Sequence, residues 1–541
     1  MHRRLVTAGA IAAVLAAAGF LTGSGVGSSA VRARGVQEIP AGLADAIHAR
    51  LGARPIRLAS RQVDHPQFGI RLAVSADGTT ALVSAPGVAG GSGAVYVFHV
   101  SAAGSWASSS TPVATLTSGK RHGDFGDPVA LSADGTTAFV GAPLNGSFRA
   151  GAVFVFHVSG EAAWASASTP TATLTISHSF FFGSAVAISH DGTTLVTGAE
   201  TSNGDAGGAY IFHVSAEDAW VSSSNPTAFL SNAAESGADS GVGAVVAMSG
   251  DGTTALLSDA GADSGAGGAY VFHAPSEAGW ATSSTPTAIL SDANGSENNA
   301  LGDSLALSGD GTTAFLGDPG VNGQIGAIDV FQASAEDAWA SSSAPTAVLT
   351  NGSGELYDEL GAFVRVATDG ETVVATSLRV EGKAGAAYVF HVPDEGAWTS
   401  SAAPTATLTD SARVPKDFMG AGLAISGDGA TVLVGAPWFD WDTGVADLFH
   451  AADAASWLTS STPTARLTNS AFPKPACVVP KLVGLSVAFA KSVLPEADCR
   501  LGRVTRVHTK TKKWRKRIVS QNPQPNNHRA PGSAVNVKVG K

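Results

Sequence analysis

The chain has 541 residues, a formal net charge of −11 and only 14% charged residues. Its 64 glycines against 3 methionines are typical of many short strands joined by turns, and they exclude a fold made mainly of packed helices. Residues 55–473 contain 12 Lys and Arg against 40 Asp and Glu, a formal charge of −28. Residues 474–541 contain 15 Lys and Arg against 2 Asp and Glu, a formal charge of +13. Opposite charges in adjacent segments predict two domains with different partners.

The N-terminal segment has the pattern of a secretory signal. Arg3 and Arg4 precede an uncharged, Ala-rich stretch from Leu5 to Leu21, and small residues follow it. A basic start, an apolar run and a small-residue exit predict a signal peptide over residues 1–33. The apolar run is barely long enough for the alternative, an uncleaved membrane anchor, and the arginine pair leaves twin-arginine export open.

The segment after the signal is interpreted as a linker over residues 34–54. Within it, residues 40–53 have the spacing of a short amphipathic helix. No later segment of the sequence is apolar and long enough to span a bilayer. We therefore expect a secreted protein that has no transmembrane anchor after signal cleavage.

Internal repetition is the strongest signal in the sequence. A Ser-x-Asp-Gly-Thr-Thr motif, or a degraded form of it, recurs at intervals of 57 to 60 residues, and every unit has a Trp further on. The repeated aspartates are Asp77, Asp134, Asp191, Asp251, Asp310, Asp369 and Asp428. The repeated tryptophans are Trp106, Trp164, Trp220, Trp280, Trp339, Trp398 and Trp457.

Each unit predicts four antiparallel strands. The first strand ends at an Asp-Gly pair, which predicts a two-residue type I′ hairpin to the second. The third strand is rich in β-branched and aromatic residues, and the fourth follows the Trp and, in most units, an x-Pro-Thr segment. Seven such units over residues 55–473 predict a mainly β fold, a seven-bladed β-propeller of four-stranded blades. Residues 55–60 and residues 463–468 both fit the fourth strand of the last blade, and the sequence does not choose between them.

The units resemble the FG-GAP repeat family, whose propellers occur in integrin α-subunits and bacterial surface proteins. Phe-Gly pairs begin at Phe68, Phe125 and Phe182, and Gly-Ala-Pro begins at Gly141 and Gly435. Calcium-binding members of that family carry an Asp-x-Asp-x-Asp-Gly loop between the first two strands, but each unit here has a single carboxylate in that turn. We therefore interpret the aspartates as turn formers and expect neither a metal nor a cofactor.

The histidines and tryptophans of the repeats are also interpreted as structural. The repeat spreads them around the ring, whereas a catalytic or metal site needs several different groups in one place. The sequence has no nucleophile elbow, zinc-protease helix motif or P-loop, which favours a binding protein over an enzyme. The six histidines that end third strands are His99, His157, His213, His273, His391 and His450.

The loops vary between units on only one face of the predicted ring, which indicates a binding face. Trp438 and Trp441 lie in such a loop and fall outside the once-per-unit Trp register. We predict that Trp438, Phe439, Asp440, Trp441 and Asp442 bind a glycan, a cationic group or a protein ligand, because aromatic faces flanked by acceptors suit these groups. A hydrophobic plug over the ring closure is the alternative.

The C-terminal segment, residues 474–541, resembles a PASTA domain, a small α+β module. The matching segments include residues 479–484 and 531–539. PASTA modules bind peptidoglycan or lie against it, so the resemblance implies a bacterial cell-wall location. Cys477 and Cys499 are the only cysteines, and in an exported chain we expect them to form a disulfide.

A concentrated basic run lies within this module. Nucleic acid is the usual partner of such a run, but outside the cell the available anions are wall polymers. We predict a site for peptidoglycan or an anionic wall polymer and no nucleic-acid partner, with a solvated charged turn as the alternative. The residues of this site are Lys510, Lys512, Lys513, Trp514, Arg515, Lys516 and Arg517.

These features predict an exported, cell-wall-associated binding or adhesion protein, which we expect to be monomeric. The propeller would be its recognition surface and the PASTA-like module its tether. An exported polysaccharide-active enzyme with a site on the acidic face and a purely structural surface protein are the two alternatives. A deep pocket with convergent carboxylates would favour the enzyme, and a shallow face would favour binding.

Overall fold

The computed structural model describes residues 65–119, 123–146, 150–177, 179–199, 207–234, 241–297, 299–412, 417–439, 443–472, 477–496, 499–509, 514–529 and 533–541. The predicted signal peptide, the linker and residues 55–60 lie outside these ranges. None of the helices in these ranges is long and apolar enough to cross a membrane.

The repeat region folds as seven four-stranded antiparallel sheets, and in each sheet the strands lie side by side in chain order. The first strands are Leu72–Val74, Val129–Leu131, Val186–Ile188, Val246–Met248, Ser304–Leu307, Phe363–Val366 and Gly422–Ile425. The second strands are Thr80–Ala85, Thr137–Gly141, Thr194–Gly198, Thr254–Ser258, Thr313–Asp318, Thr372–Ser377 and Thr431–Ala436.

The remaining two strands of each sheet have equally regular bounds. The third strands are Ala94–His99, Val153–His157, Ala209–His213, Ala269–His273, Ala327–Gln332, Ala386–His391 and Val445–His450. The fourth strands are Ala114–Leu116, Ala172–Leu174, Ala228–Leu230, Ala288–Leu290, Ala347–Leu349, Ala406–Leu408 and Ala465–Leu467. The predicted strand order is confirmed, and Ala465–Leu467 is the fourth strand of the seventh sheet.

Short turns connect these strands. Between the second and third strands lie the four-residue turns Val88–Gly91, Ala262–Gly265, Val321–Gln324 and Val380–Lys383. Before each repeated Trp lies one 3₁₀ turn: Ala103–Ser105, Glu161–Ala163, Glu217–Ala219, Glu277–Gly279, Glu336–Ala338, Glu395–Ala397 and Ala454–Ser456.

The turn between the first and second strands is not the type I′ hairpin that the Asp-Gly pair predicts. In the first sheet Gly78 has a φ of 71°, but Asp77 does not have a positive φ. The amide of Gly78 donates to the carbonyl of Ser75 at 3.0 Å, so a β-turn precedes the left-handed glycine. Asp77 Oδ1 accepts from Ser75 Oγ at 2.7 Å and from the amide of Thr79 at 3.0 Å. Asp77 therefore stabilises the turn through its side chain, and its backbone does not have a positive φ.

The seven sheets form a closed ring, which is consistent with the blades of a β-propeller. Parallel bridges join the first sheet to the seventh at Phe68 with Gly444 and at Ser109 with Leu467. The residues just before the repeated aspartates bond one another around the centre of the ring, where the first strands of neighbouring sheets also meet. Seven backbone hydrogen bonds of 2.7–3.3 Å form this inner circle, running from Ala76 through Ala133, His190, Gly250, Gly309, Thr368 and the Gly427–Asp428 pair back to Ala76.

The hydrophobic core lies between neighbouring sheets. At the junction of the first and last sheets, Phe68 and Leu433 are fully buried in one cluster with Trp106. Phe68 also packs edge-on against Phe98, with 6.2 Å between ring centroids. Each sheet therefore buries its apolar face against the next, as expected when a repeat cannot form a core alone.

The C-terminal module contains one helix and two small sheets. Its elements are Cys477–Val478, the helix Val487–Glu496, and the strands Cys499–Val507, Ile518–Asn522, His528–Arg529 and Ser533–Gly540. Ser533–Gly540 is the central strand of a three-stranded sheet, parallel to Cys499–Val507 and antiparallel to Ile518–Asn522. The predicted disulfide between Cys477 and Cys499 is confirmed, with 4.9 Å between the Cα atoms.

Candidate functional site

The repeated tryptophans are part of the scaffold. In all seven sheets the indole Nε1 donates to the carbonyl of the Asp-Gly glycine at 2.8–2.9 Å, as Trp106 does to Gly78. The rings are also buried, with Trp106 only 6% exposed. The interpretation of these residues as structural is confirmed, because their polar edge holds the turn and their ring fills the core.

The repeated histidines are held in the same way. In six sheets Nδ1 lies 2.8–3.0 Å from the hydroxyl of the first Thr of the second strand, and His99 pairs in this way with Thr80. In the fifth sheet Gln332 replaces the histidine and donates to Thr313 at 3.3 Å. Since an amide can take the place of the imidazole, the position requires a hydrogen-bonding group and not a metal ligand.

Among the described residues, no group of three or more His, Cys, Asp or Glu side chains is arranged to hold a metal ion. The places where polar chemistry departs from the repeat are therefore the informative ones. Such places include the Trp438 loop, a group of buried carboxylates in the fifth sheet, and the basic run of the C-terminal module.

The predicted aromatic site is only partly within the described residues. Trp438 is partly buried and packs against Phe418, with 5.1 Å between ring centroids. Phe439 is partly buried beneath the guanidinium of Arg466, which lies 5.2 Å from the ring centroid. Asp440, Trp441 and Asp442 lie outside the described ranges. The two placed rings lie against neighbouring side chains, so this part of the loop contributes to packing.

An ion-pair network that the sequence did not predict lies beneath this loop. Arg466 Nε donates to Asp447 Oδ1 at 2.9 Å, and its Nη2 contacts Asp410 Oδ2. The side chain of Arg466 is 26% exposed, whereas those of Asp447 and Asp410 are 0% and 3% exposed. Burial opposes the charge of Arg466, but Asp447 and then Asp410 raise its pKa. One arginine thus pairs with two buried carboxylates.

The fifth sheet contains carboxylates at similar positions but lacks the arginine. We call Asp292, Asp318 and Asp329 the carboxylate pocket; Asp318 is 1% and Asp329 is 3% exposed. Burial raises the pKa of Asp318 to about 8, with Asp329 and Asp292 adding to the shift and Asn299 and the Val321 amide opposing it. Burial, and then the charge of Asp292, raises the pKa of Asp329 to about 7.

The carboxylate pocket lies on the variable face of the ring. Asp318 ends the second strand of its sheet, and Asp292 follows the fourth strand of the preceding sheet, at the edge where the variable loops begin. The sequence analysis did not predict this buried pair. The signal was present, because Asp329 stands in a third strand where five other sheets have Tyr or Phe.

The basic run forms one side of an open groove of about 450 Å³ in the C-terminal module. We call this the basic groove, and its lining residues are Leu485, Ser486, Phe489, Arg515, Lys516 and Arg517. Arg515, Lys516 and Arg517 are exposed, and so is Phe489 at 53%. Arg517 Nη1 donates to the carbonyl of Gly484 at 2.8 Å, which fixes one wall of the groove.

The remaining residues predicted for the basic site are distributed unevenly. Lys510, Lys512 and Lys513 lie outside the described ranges. Trp514 is partly buried, and its carbonyl accepts from the amide of Arg517 at 3.1 Å. The structure therefore brings together Arg515, Lys516 and Arg517, and adds the apolar Leu485 and Phe489 that the sequence had not singled out.

The comparisons with known proteins give no assignment. No family model matches the chain. No curated protein matches it either.

Proposed function

We propose that this protein is an exported, cell-wall-associated binding or adhesion protein. In this proposal the ring of sheets is an FG-GAP-type propeller that presents its variable face for recognition. The C-terminal module is a PASTA-like tether that holds the chain on peptidoglycan or an anionic wall polymer. The predicted signal over residues 1–33 supports export, and the disulfide between Cys477 and Cys499 suits an oxidising compartment.

The observation that carries the proposal is the composition of the basic groove. Three exposed cations stand beside Leu485 and the exposed ring of Phe489. Cations suit the phosphates and carboxylates of a wall polymer, whereas an apolar floor suits the non-polar faces of its sugars and lactyl groups. The surrounding residues 474–541 have a formal charge of +13, from 15 Lys and Arg against 2 Asp and Glu, which steers anionic polymers towards the groove.

The contrast between the two faces of the ring supports the recognition role. On the Asp-Gly face the aspartate of every turn accepts from the backbone amide two residues further on at 3.0–3.1 Å, and the repeated Trp donates to the glycine of each turn. On the other face the loops differ in length and content, and the Trp438 loop and the carboxylate pocket both lie there. A face that varies on a constant scaffold is typical of a binding surface.

The test is co-sedimentation of the full mature protein with purified cell walls, with and without extraction of their anionic polymers. The variant Arg515→Ser, Lys516→Ser, Arg517→Ser should bind at least about tenfold more weakly, because a hydrogen bond to a charged group contributes about 1.5–3 kcal/mol. Binding by the wild type should also fall steeply with salt.

A matched control in the same module removes the same charge elsewhere. Arg500, Arg503 and Arg506 are exposed on the strand Cys499–Val507 and do not line the groove. Their triple replacement by Ser should weaken binding much less than the groove variant does. Equal losses in the two variants would show that only net charge matters, and wall binding by the groove variant at wild-type strength would contradict the proposal.

A further inference from the structure

The carboxylate pocket of the fifth sheet can be compared with the ion-pair network of the seventh, because the repeat supplies equivalent positions. In the seventh sheet Asp447 of the third strand pairs in register with Arg466 of the fourth. In the fifth sheet Asp329 occupies the same position and pairs in register with Val348. The fifth sheet therefore has the acceptor of this pair but not its donor.

The loop of the preceding sheet completes the equivalence. Asp410 follows the fourth strand of the sixth sheet and is the second carboxylate on Arg466. Asp292 follows the fourth strand of the fourth sheet at the same distance from it, and it acts electrostatically on Asp318 and Asp329. Both junctions thus contribute two carboxylates at equivalent positions, and only one of them contains an arginine.

The fourth sheet gives a second internal comparison. There Asp259 stands at the position of Asp318, and the hydroxyl of Tyr270 donates to its Oδ2 at 2.8 Å. In the fifth sheet Asp329 replaces that tyrosine, so Asp318 has a carboxylate neighbour where its counterpart has a donor. Once Asp329 is ionised, this position offers an acceptor instead of a donor, so the ionised pair needs an external donor.

The buried carboxylates also have unused acceptor atoms. Asp329 Oδ2 and Asp318 Oδ1 have no hydrogen-bond partner among the described residues, although both side chains are at least nine-tenths buried. Asp318 does have two donors nearby, Asn299 Nδ2 at 3.5 Å from its Oδ2 and the backbone amide of Val321. A buried acceptor without a donor is unfavourable, and its cost is removed by a bound cation that donates hydrogen bonds.

We propose that the carboxylate pocket binds a guanidinium group, provided by an arginine side chain of a protein or peptide that docks on the variable face. The seventh sheet shows that equivalent carboxylates accept a guanidinium, through Nε to one aspartate and Nη2 to the other. A guanidinium is preferred to a metal ion because the described residues contain no set of three carboxylates arranged for coordination. The proposal goes beyond wall attachment and does not depend on it.

The first test supplies the arginine within the chain. Val348→Arg should raise the melting temperature of the full mature protein, because it reproduces the pairing of Asp447 with Arg466. Thr173→Arg is the matched control, since Thr173 has the same strand position but pairs in register with Phe154 instead of an aspartate. If Val348→Arg raises the melting temperature no more than Thr173→Arg does, the proposal is overturned.

The second test supplies the group from solution as N-acetyl-arginine amide at millimolar concentrations. This probe should raise the melting temperature of the wild type saturably, by about 1 °C at ten times its Kd. The rise should vanish in Val348→Arg and in Asp329→Tyr, which reproduces the fourth sheet. Absence of a rise in the wild type, an equal rise in all three proteins, or a response to Ca²⁺ instead of the arginine probe would each overturn the proposal.

Discussion

The protonation of the carboxylate pocket leads to a quantitative prediction for Asp329→Asn. Burial and the charge of Asp292 raise the pKa of Asp329 from the ordinary 3.8 to about 7. The folded protein therefore holds this proton more tightly than the unfolded chain does. Its contribution to stability is lost as the pH rises from about 4 through about 7, at a rate of about 1.4 kcal/mol per pH unit.

The neutral asparagine removes this pH dependence. The free energy of unfolding of Asp329→Asn, relative to the wild type, should therefore increase by about 3 kcal/mol between pH 5 and pH 8 and level off above pH 7. The variant should also bring the pKa of Asp318 down towards its ordinary value, because Asp329 is one of the groups that raise it. Unfolding in urea, followed by the fluorescence of the buried tryptophans at each pH, measures the difference.

The matched control is Asp447→Asn, the equivalent substitution in the seventh sheet. It leaves Arg466 with a broken buried pair, so it should destabilise the protein by about 3 kcal/mol at every pH from 5 to 8. A stability difference between Asp329→Asn and the wild type that stays constant across this pH range would refute the reasoning. It would mean that Asp329 is ionised in the folded protein.

Three further predictions concern other parts of the molecule. Gly309→Val should lower the melting temperature sharply, because the added Cβ would lie 2.6 Å from the carbonyl oxygen of Thr368 in the inner circle. Gly160→Ala should leave the melting temperature unchanged, because no atom lies within 4 Å of the added Cβ. Trp438→Ala should lower the free energy of unfolding in urea by about 2 kcal/mol, because the partly buried ring of Trp438 packs on Phe418. An unchanged free energy of unfolding would favour a surface site instead. Replacing both cysteines by Ser should lower the free energy of unfolding of the C-terminal module by about 3 kcal/mol and leave the melting temperature of the ring unchanged, as measured by thermal unfolding.

The repeat made most of the fold predictable from sequence. Because each unit occupies the same structural position, the seven aspartates and tryptophans located every sheet, its strand order and its packing faces. The turn type was predicted wrongly. A type I′ turn needs a positive φ at both Asp77 and Gly78, but only Gly78 has one, because Asp77 stabilises its turn through a side-chain acceptor. Propensity rules assign a residue a backbone conformation, but they do not show which hydrogen bond its side chain makes.

The candidate sites were less predictable, because they depend on contacts between sheets. Asp329 and Val348 are adjacent only through strand register, and Asp292 reaches them from another unit. The sequence nevertheless contained a usable signal. Asp329 and Asp447 stand where the other five units have Tyr or Phe, and Arg466 stands where the other six units have an uncharged residue. In a repeat protein, a charged residue that replaces the usual residue of the repeat is therefore a better indicator of a functional site than a polar residue that recurs in every unit.

The inner circle of seven backbone hydrogen bonds has a consequence for how the number of units is fixed. Each amide in this circle finds its acceptor in the neighbouring unit, and the bond from Asp428 to Ala76 joins the two ends of the array. An array shortened by one unit would retain an unbonded amide and an unbonded carbonyl at the axis unless every remaining sheet tilted to meet its neighbour. Deletion of a single unit therefore perturbs all the others, and the array gains its full cooperativity only when the last unit closes the cycle.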